Sequence, residues 1–340
     1  MKKLLIALVA CTALSTPTLA DYKMIIPQKP GGGTSQWATI IAKHLEPYLE
    51  ERIKLVHIPG ARDIPGFNKF HNELRFDEKT IMVSHGGNGV SYLTEDVDYN
   101  YKDYDPIGGM NLTIIIGEKD LKDHIFFAGG SGNIPDVMAL TLYMCGNLDT
   151  FEAYESCYKD NITFVKGMSG SERRLAFNNG ELNITRENPA AYKKHAKAAA
   201  LLFTHGVFDL DEGKVVDDRN HPNMSFDKVF TEKWGEAPSG KFYNAYMLVK
   251  NYRDMLQKAL WMNKDNPNTE KVTLALLNML ADNEAMDAIE NKVGDYDWFI
   301  ADELIDAVNY LENNKSIEAT EYLVKWQREV LGYNAINKTK

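Results

Sequence analysis

The stretch Met24-Ile25-Ile26-Pro27-Gln28-Lys29-Pro30-Gly31-Gly32-Gly33-Thr34-Ser35-Gln36 constrains this chain most. Its apolar start reads as a buried strand, and the prolines and three glycines as a turn. Trp37, Ile40, Ile41 and Leu45 then recur at helical spacing, so the pattern is strand, glycine turn, helix. Glycine admits positive φ and lets a ligand come close to the backbone amides. The helix that follows adds unpaired N–H groups and the positive end of its dipole, an anion site suited to carboxylate or phosphate. A Gly-Gly-Gly turn taken alone is equally compatible with a plain tight turn.

The pattern recurs along the chain. A short strand over 53–58 ends in Pro59-Gly60-Ala61-Arg62-Asp63-Ile64-Pro65-Gly66, with a helix expected over 67–74. Thr80-Ile81-Met82-Val83 is another strand, stopped by Ser84-His85-Gly86-Gly87-Asn88-Gly89. The apolar run 112–116 reads as a crossover strand. Ile125-Phe126-Phe127 opens a second cycle through Ala128-Gly129-Gly130-Ser131-Gly132-Asn133 into a helix over 137–145. A strand over 162–167, a short helix over 169–177 and a strand over 198–203 follow. Repeated β, glycine loop and α predict an α/β fold with an open, mostly parallel sheet and ligand loops at the strands' carboxyl ends. The tyrosine- and aspartate-rich run 99–106 reads as a solvated loop, and 209–240 as polar and turn-rich. Helical periodicity over 247–262, 270–286, 300–311 and 317–331 predicts a mostly helical C-terminal third.

A chain of 340 residues can build two domains, and 44% hydrophobic with 25% charged residues is an ordinary globular balance. The net charge of −10 argues against nucleic acid and against an anionic membrane surface. It leaves a local backbone-amide anion site untouched. Residues 1–20 read as a signal peptide: Lys2 and Lys3, an apolar run, then Thr18-Leu19-Ala20, with cleavage after Ala20. The alternative is a lipoprotein box at Leu8-Val9-Ala10-Cys11, leaving Cys11 lipidated. Both imply export. In an oxidising compartment Cys145 and Cys157 are expected to form a disulfide, two buried free thiols being the alternative. There is no metal-ligand spacing, the eight histidines being scattered.

Catalytic motifs are missing. Gly33 is followed by Thr34-Ser35, where a P-loop needs lysine; no glycine loop supplies G-x-G-x-x-G after a strand; and no G-x-S-x-G elbow occurs. His85 beside Ser84 or Ser131 has no orienting partner in the sequence. With no catalytic set and no cofactor motif, the reading is a binding protein, not an enzyme.

The order of these features resembles the substrate-binding proteins of tripartite tricarboxylate transporters, the Bug family. Their first loop reads near P-x-x-P-G-G-G-T-D, and here it is Pro27-Gln28-Lys29-Pro30-Gly31-Gly32-Gly33-Thr34-Ser35. Their N-R-P-G-A loop is similar to Ile58-Pro59-Gly60-Ala61-Arg62, and their aspartate–proline stretch to Asp103-Tyr104-Asp105-Pro106. Their A-S-S-G-x-G-S-P-S-H loop is similar to Ala128 through Val137, and their Y-K-G and G-x-V-D pieces to Val165-Lys166-Gly167 and Gly180-Glu181-Leu182-Asn183. The similarity runs over residues 22–200. Departures are Ser35 in place of aspartate, Ile134 and Val137 in place of a hydroxyl and a histidine, and a shorter segment over 116–125.

The resemblance implies a two-lobed periplasmic solute-binding protein (type II-like) that closes on its ligand. Lobe 1 is expected to take 21–117 and 246–340, and lobe 2 118–245. A small organic carboxylate would be held by Gly32, Gly33, Thr34 and Ser35 on one side and by Ser131, Gly132 and Asn133 on the other. Ser84, His85, Gly86 and Asn88 would line the cleft, and Arg186 and Asn188 would read the ligand's far end. Arg186 offers a bidentate fork for a second carboxylate, which points to a di- or tricarboxylate. Its alternative is a surface ion pair with Glu187 or Glu181, leaving a monocarboxylate with Tyr92 or Phe242 against its apolar end. The implied partners are the membrane permease subunits of a tripartite transporter. A co-receptor for a sensor kinase and an exported serine hydrolase are the other readings, and monomer is the default state.

Overall fold

The computed structural model describes residues 21–195 and 198–338; the expected leader with Cys11 lies outside the described residues. The first half runs β1 (Tyr22–Ile26), α1 (Gly33–Leu49), β2 (Ile53–His57), α2 (Ile64–Asn72), β3 (Thr80–Val83), α3 (Gly86–Thr94) and β4 (Tyr104–Met110). The middle holds β5 (Ile115–Glu118), β6 (Ile125–Gly129), α4 (Ile134–Cys145), α5 (Phe151–Asn161), β7 (Ile162–Lys166), α6 (Gly170–Asn178), β8 (Ile184–Glu187) and α7 (Pro189–His195). It continues through β9 (Ala200–Thr204), the hairpin β10 (Val207–Asp209) and β11 (Lys214–Val216), and α8 (Phe226–Trp234). The last part is α9 (Gly240–Met255), β12 (Ala259–Asn263), α10 (Thr269–Leu280), α11 (Asn283–Val293), β13 (Trp298–Ile300), α12 (Asp302–Asn313) and α13 (Ile317–Lys325).

One sheet has the order β13-β4-β12-β3-β1-β2, drawing strands from both ends of the chain. It is mixed where the sequence suggested mostly parallel: β1 runs parallel to β2 and β3, while β12 is antiparallel to β3 and β4, and β13 to β4. The C-terminal strands enter against the direction of the first three. Side chains alternate between two covered faces, Met24 and Ile26 on one with Trp37, Ile41 and Leu276, and Ile25, Met82 and Trp261 on the other. The middle of the chain builds the antiparallel sheet β8-β5-β9 and the parallel pair β6–β7 around the buried α4. Cys145 and Cys157 are joined by a disulfide that ties the end of α4 to α5.

Four further expectations are corrected. The 99–106 run is core: Tyr99, Tyr101 and Tyr104 are buried, and Phe67 lies 4.4 Å, centroid to centroid, from Tyr99. Phenol rings bury their bodies and keep one polar tip to satisfy, and Tyr99 Oη donates to Asn88 O over 2.8 Å. Residues 209–240 contain the hairpin's second strand and α8, with Phe226 and Phe230 in the core. The 247–262 helix stops at Met255; Lys258 takes φ 58°, and Ala259–Asn263 is a strand buried along its whole length. A short apolar run covered on both faces carries no period that separates strand from helix. Likewise 270–286 is two helices, broken where the Asp282 carboxylate accepts from Glu284 N and Ala285 N.

Helix α9 lies directly on α3, and glycine makes this possible. A Cβ at Gly89 would sit 2.1 Å from Tyr252 O, and one at Gly86 2.6 Å from Arg253 Cγ. These glycines, expected in a loop, lie in the first turn of α3 and serve helix packing. That packing brings Arg253 to the centre of the molecule.

Candidate functional site

The first loop leads into α1, whose first turn has no side-chain cap, and Gly31, Gly32 and Gly33 are exposed. Inside it, Thr34 is buried and its Oγ1 accepts from Lys258 Nζ over 2.6 Å. Ser35 Oγ lies 2.9 Å from His57 Nε2. The second loop meets the N-terminus of α3: a Cβ on Gly132 would lie 3.5 Å from Gly87 N and 3.8 Å from His85 Cε1. Gln28 Nε2, in the loop after the first strand, is 3.3 Å from the His85 ring nitrogens. The His85 ring thus sits between the two glycine loops. Ser131 is half-buried beside Gly132.

Several expected contacts are otherwise engaged. Ser84 Oγ donates to Leu256 O at 2.6 Å, in full burial. Asn88 Oδ1 accepts from His85 N and its Nδ2 donates to Asp63 O. Asn133 Nδ2 donates to Asp136 Oδ2 at 2.7 Å, while its Oδ1 accepts from Gly130 N. Asn188 Oδ1 accepts from Ala191 N, capping α7. These polar side chains shape the loops. Tyr92 belongs to the tyrosine cluster, and Phe242 packs on Tyr154 and Trp326, so both are spent in the core.

His85 does have an orienting partner, since Asp63 Oδ2 lies 2.9 Å from its Nδ1. Burial depresses its pKa by more than Asp63 raises it, so the ring is neutral near pH 7. Neither serine is hydrogen-bonded to it among the described residues. Arg186 does not pair with Glu187 or Glu181: Glu187 is held by Arg174 through bonds of 2.8 and 2.6 Å. Arg186 instead turns inward, its Nε 3.5 Å from Asp136 Oδ2, with its own carbonyl accepting from Arg173 Nη2 at 2.7 Å.

Asp136, in the first turn of α4, is the hub of a buried ionic cluster. Its Oδ1 accepts from Arg253 Nη1 and lies 3.0 Å from His205 Nε2. Burial opposes its charge, but Arg253, His205 and Arg186 outweigh burial and hold the carboxyl far below the usual range. Arg253 Nε donates to Asp254 at 2.6 Å. His205 is pushed down to about 4 by burial and by Arg253, and its Nδ1 lies 2.8 Å from Tyr246 Oη. Burial and the Arg186 charge bring Lys258 down to about 7, and burial brings Arg186 down to about 10. Lys258 has no carboxylate within ion-pair distance among the described residues. Buried Arg253 and Lys258 and part-buried Arg186 therefore face Asp136, Asp254 and Asp63, the last engaged with His85, and Lys250 is a further cation 3.7 Å from Asp254. The centre is short of negative charge. Two of its backbones also take positive φ, Asp63 at 62° and Lys258 at 58°, a strain that persists where surrounding structure fixes it.

Lys258, Arg253, Asp136, His205 and Asp63 escaped the sequence reading of the site. Asp63 stood in a glycine–proline loop and Asp136 just after a glycine loop; Arg253 and Lys258 lay inside what read as one helix. No group of three or more His, Cys, Asp or Glu with metal-holding geometry occurs among the described residues. No helix there is long and apolar enough to cross a membrane.

No protein-family model and no curated protein sequence matches the chain. Solved structures do. The periplasmic binding protein BugD aligns over 91% of this chain and 98% of its own, with a TM-score of 0.57 and 13% identity. MatC from Rhodopseudomonas palustris, solved with bound malate, aligns over 89% and 97%, with a TM-score of 0.56 and 12% identity. The R. palustris protein Rpa4515, solved with adipate, aligns over 93% and 98%, with a TM-score of 0.55 and 12% identity. The chain has the two-lobed α/β fold of these proteins, the fold that the resemblance implied.

Proposed function

We propose that the chain is an exported receptor for a small organic carboxylate, which it delivers to the permease subunits of a tripartite-type transporter. The observation that carries this reading is the unpaired cation at Lys258, buried beside Thr34 at the start of α1 and near Arg186. A carboxylate placed there gains the first-turn amides of α1 and charge-assisted hydrogen bonds from two cations. It also supplies the negative charge that the cluster lacks; an uncompensated buried charge is costly. Two cations with separate side chains fit a dicarboxylate, and the structurally similar MatC and Rpa4515 were solved with malate and adipate. Ser131 and Gly132, on the loop against His85, would close the site from the second lobe. The same geometry would serve a receptor presenting its ligand to a sensor kinase; co-purification with membrane partners separates the two.

The test is a thermal-shift screen of protein stripped of ligand by unfolding and refolding, against mono-, di- and tricarboxylates, phosphate and amino acids. Ligand at a hundredfold over its Kd adds about 2.7 kcal/mol of stability, a shift of several degrees. Selective stabilisation by one carboxylate class supports the reading. A flat panel, or a response to phosphate alone, refutes it.

A further inference from the structure

The face of α9 turned away from Arg253 borders a cavity of about 530 Å³, separate from the ionic cluster. The β10–β11 hairpin, α8, α9, α12 and the start of α13 line it, and one side opens to solvent. Its size is that of a small-molecule site. One wall is apolar and aromatic, with Phe208 and Tyr310 4.6 Å apart between centroids and Met247 and Leu311 beside them. The other is rich in acceptors. Asp227 Oδ2 accepts from Tyr243 Oη at 2.7 Å, and Asn251 is buried with no hydrogen-bond partner at Oδ1. Of the positive charges nearby, Lys214 pairs with Glu212 at 2.6 Å, while buried Lys250 lies 3.7 Å from Asp254 and acts on Asp227 through its charge but makes no hydrogen bond at its Nζ. A buried acceptor without a donor is costly, and a carboxylate in the same wall calls for a positively charged donor.

We propose that this cavity is a second ligand site, taking a small organic ammonium compound whose cation meets Asp227 and Asn251 and whose apolar body lies against Phe208 and Tyr310. The ammonium group supplies donors to both oxygens, and the aromatic wall offers π faces to the cation's neighbouring methylenes. Burial raises the Asp227 pKa, and a bound cation would oppose that shift. Such an occupant bridges the hairpin to the C-terminal helices across α9. This site does not depend on the carboxylate reading of the ionic centre.

The experiment is calorimetric titration of the purified protein with butylammonium, with butanol and butyrate as matched neutral and anionic probes. Butylammonium should bind at least tenfold more tightly than either probe, and Asp227→Asn should weaken it at least tenfold. Met247→Trp, which fills the cavity with apolar bulk, should abolish ammonium binding at an unchanged thermal midpoint. Absence of ammonium binding, equal affinity for butanol, or full binding by the folded Asp227→Asn or Met247→Trp protein would overturn the proposal.

Discussion

Lys258 Nζ donates to Thr34 Oγ1 over 2.6 Å, joining residues 224 positions apart in the chain. The first glycine loop thereby receives a buried cation from the turn between α9 and the central strand β12. A hydroxyl satisfies the ammonium's geometry but not its charge. The first prediction follows from that imbalance. Lys258→Met should raise the Kd for the bound carboxylate ten- to a hundredfold, about 1.5–3 kcal/mol for a charge-assisted contact. Arg186→Met should penalise dicarboxylates more than monocarboxylates, as equilibrium titration of each class would show. Equal losses for both classes would place Arg186 away from the ligand's far end.

The pair Asp136–Arg253 should dominate stability at the centre. Both side chains are fully buried, so Asp136→Asn leaves Arg253 short of its counter-charge and should cost about 3–5 kcal/mol in urea unfolding. The double change Asp136→Asn with Arg253→Met removes the stranded guanidinium and leaves Asp254 to Lys250. It should recover part of that loss.

Acid should weaken the fold through His205. Its folded pKa of about 4 lies below the ordinary 6.5, so between these values the unfolded chain binds more protons. Stability is therefore fully present above pH 6.5 and falls as pH drops towards 4, by on the order of 3 kcal/mol. Denaturant midpoints recorded across that range should slope in the native protein and flatten in His205→Gln. An unchanged slope in the variant would assign the acid sensitivity to other groups.

Two glycines should behave oppositely. Gly89→Ala places a Cβ 2.1 Å from Tyr252 O and must push α9 off α3, costing about 1–3 kcal/mol or more. Gly33→Ala meets nothing within 4 Å and should leave the thermal midpoint unchanged. Any loss of ligand binding in Gly33→Ala then reports on the loop itself.

The legible parts were local ones. Glycine and proline write their turns into adjacent residues, so the loops at 31–33 and 129–133 and the helices after them could be read directly, whereas the glycines at 86–89, read as a loop, open helix α3. The tyrosine run was misread because polar tips mask ring bodies that pack on Phe67 and Trp261. Asp136 and Arg253 are 117 positions apart, and no short-range pattern signals their contact. Lys258 was hidden in apparent helical periodicity that a positive φ interrupts. The charge-bearing half of the candidate site is a product of tertiary packing. Its loops are a product of local sequence.

The most direct test of the central claim is calorimetric titration of ligand-stripped protein with malate or adipate at pH 7.5, in two buffers of different ionisation enthalpy. Lys258, near 7 in the free protein, is raised by a neighbouring carboxylate, so the bound state holds more protons. The account predicts one-site binding with net proton uptake, affinity that falls as pH rises from 6 to 9, and loss of the uptake in Lys258→Met. Binding with no proton uptake, or uptake undiminished in Lys258→Met, would contradict a carboxylate seated at Lys258.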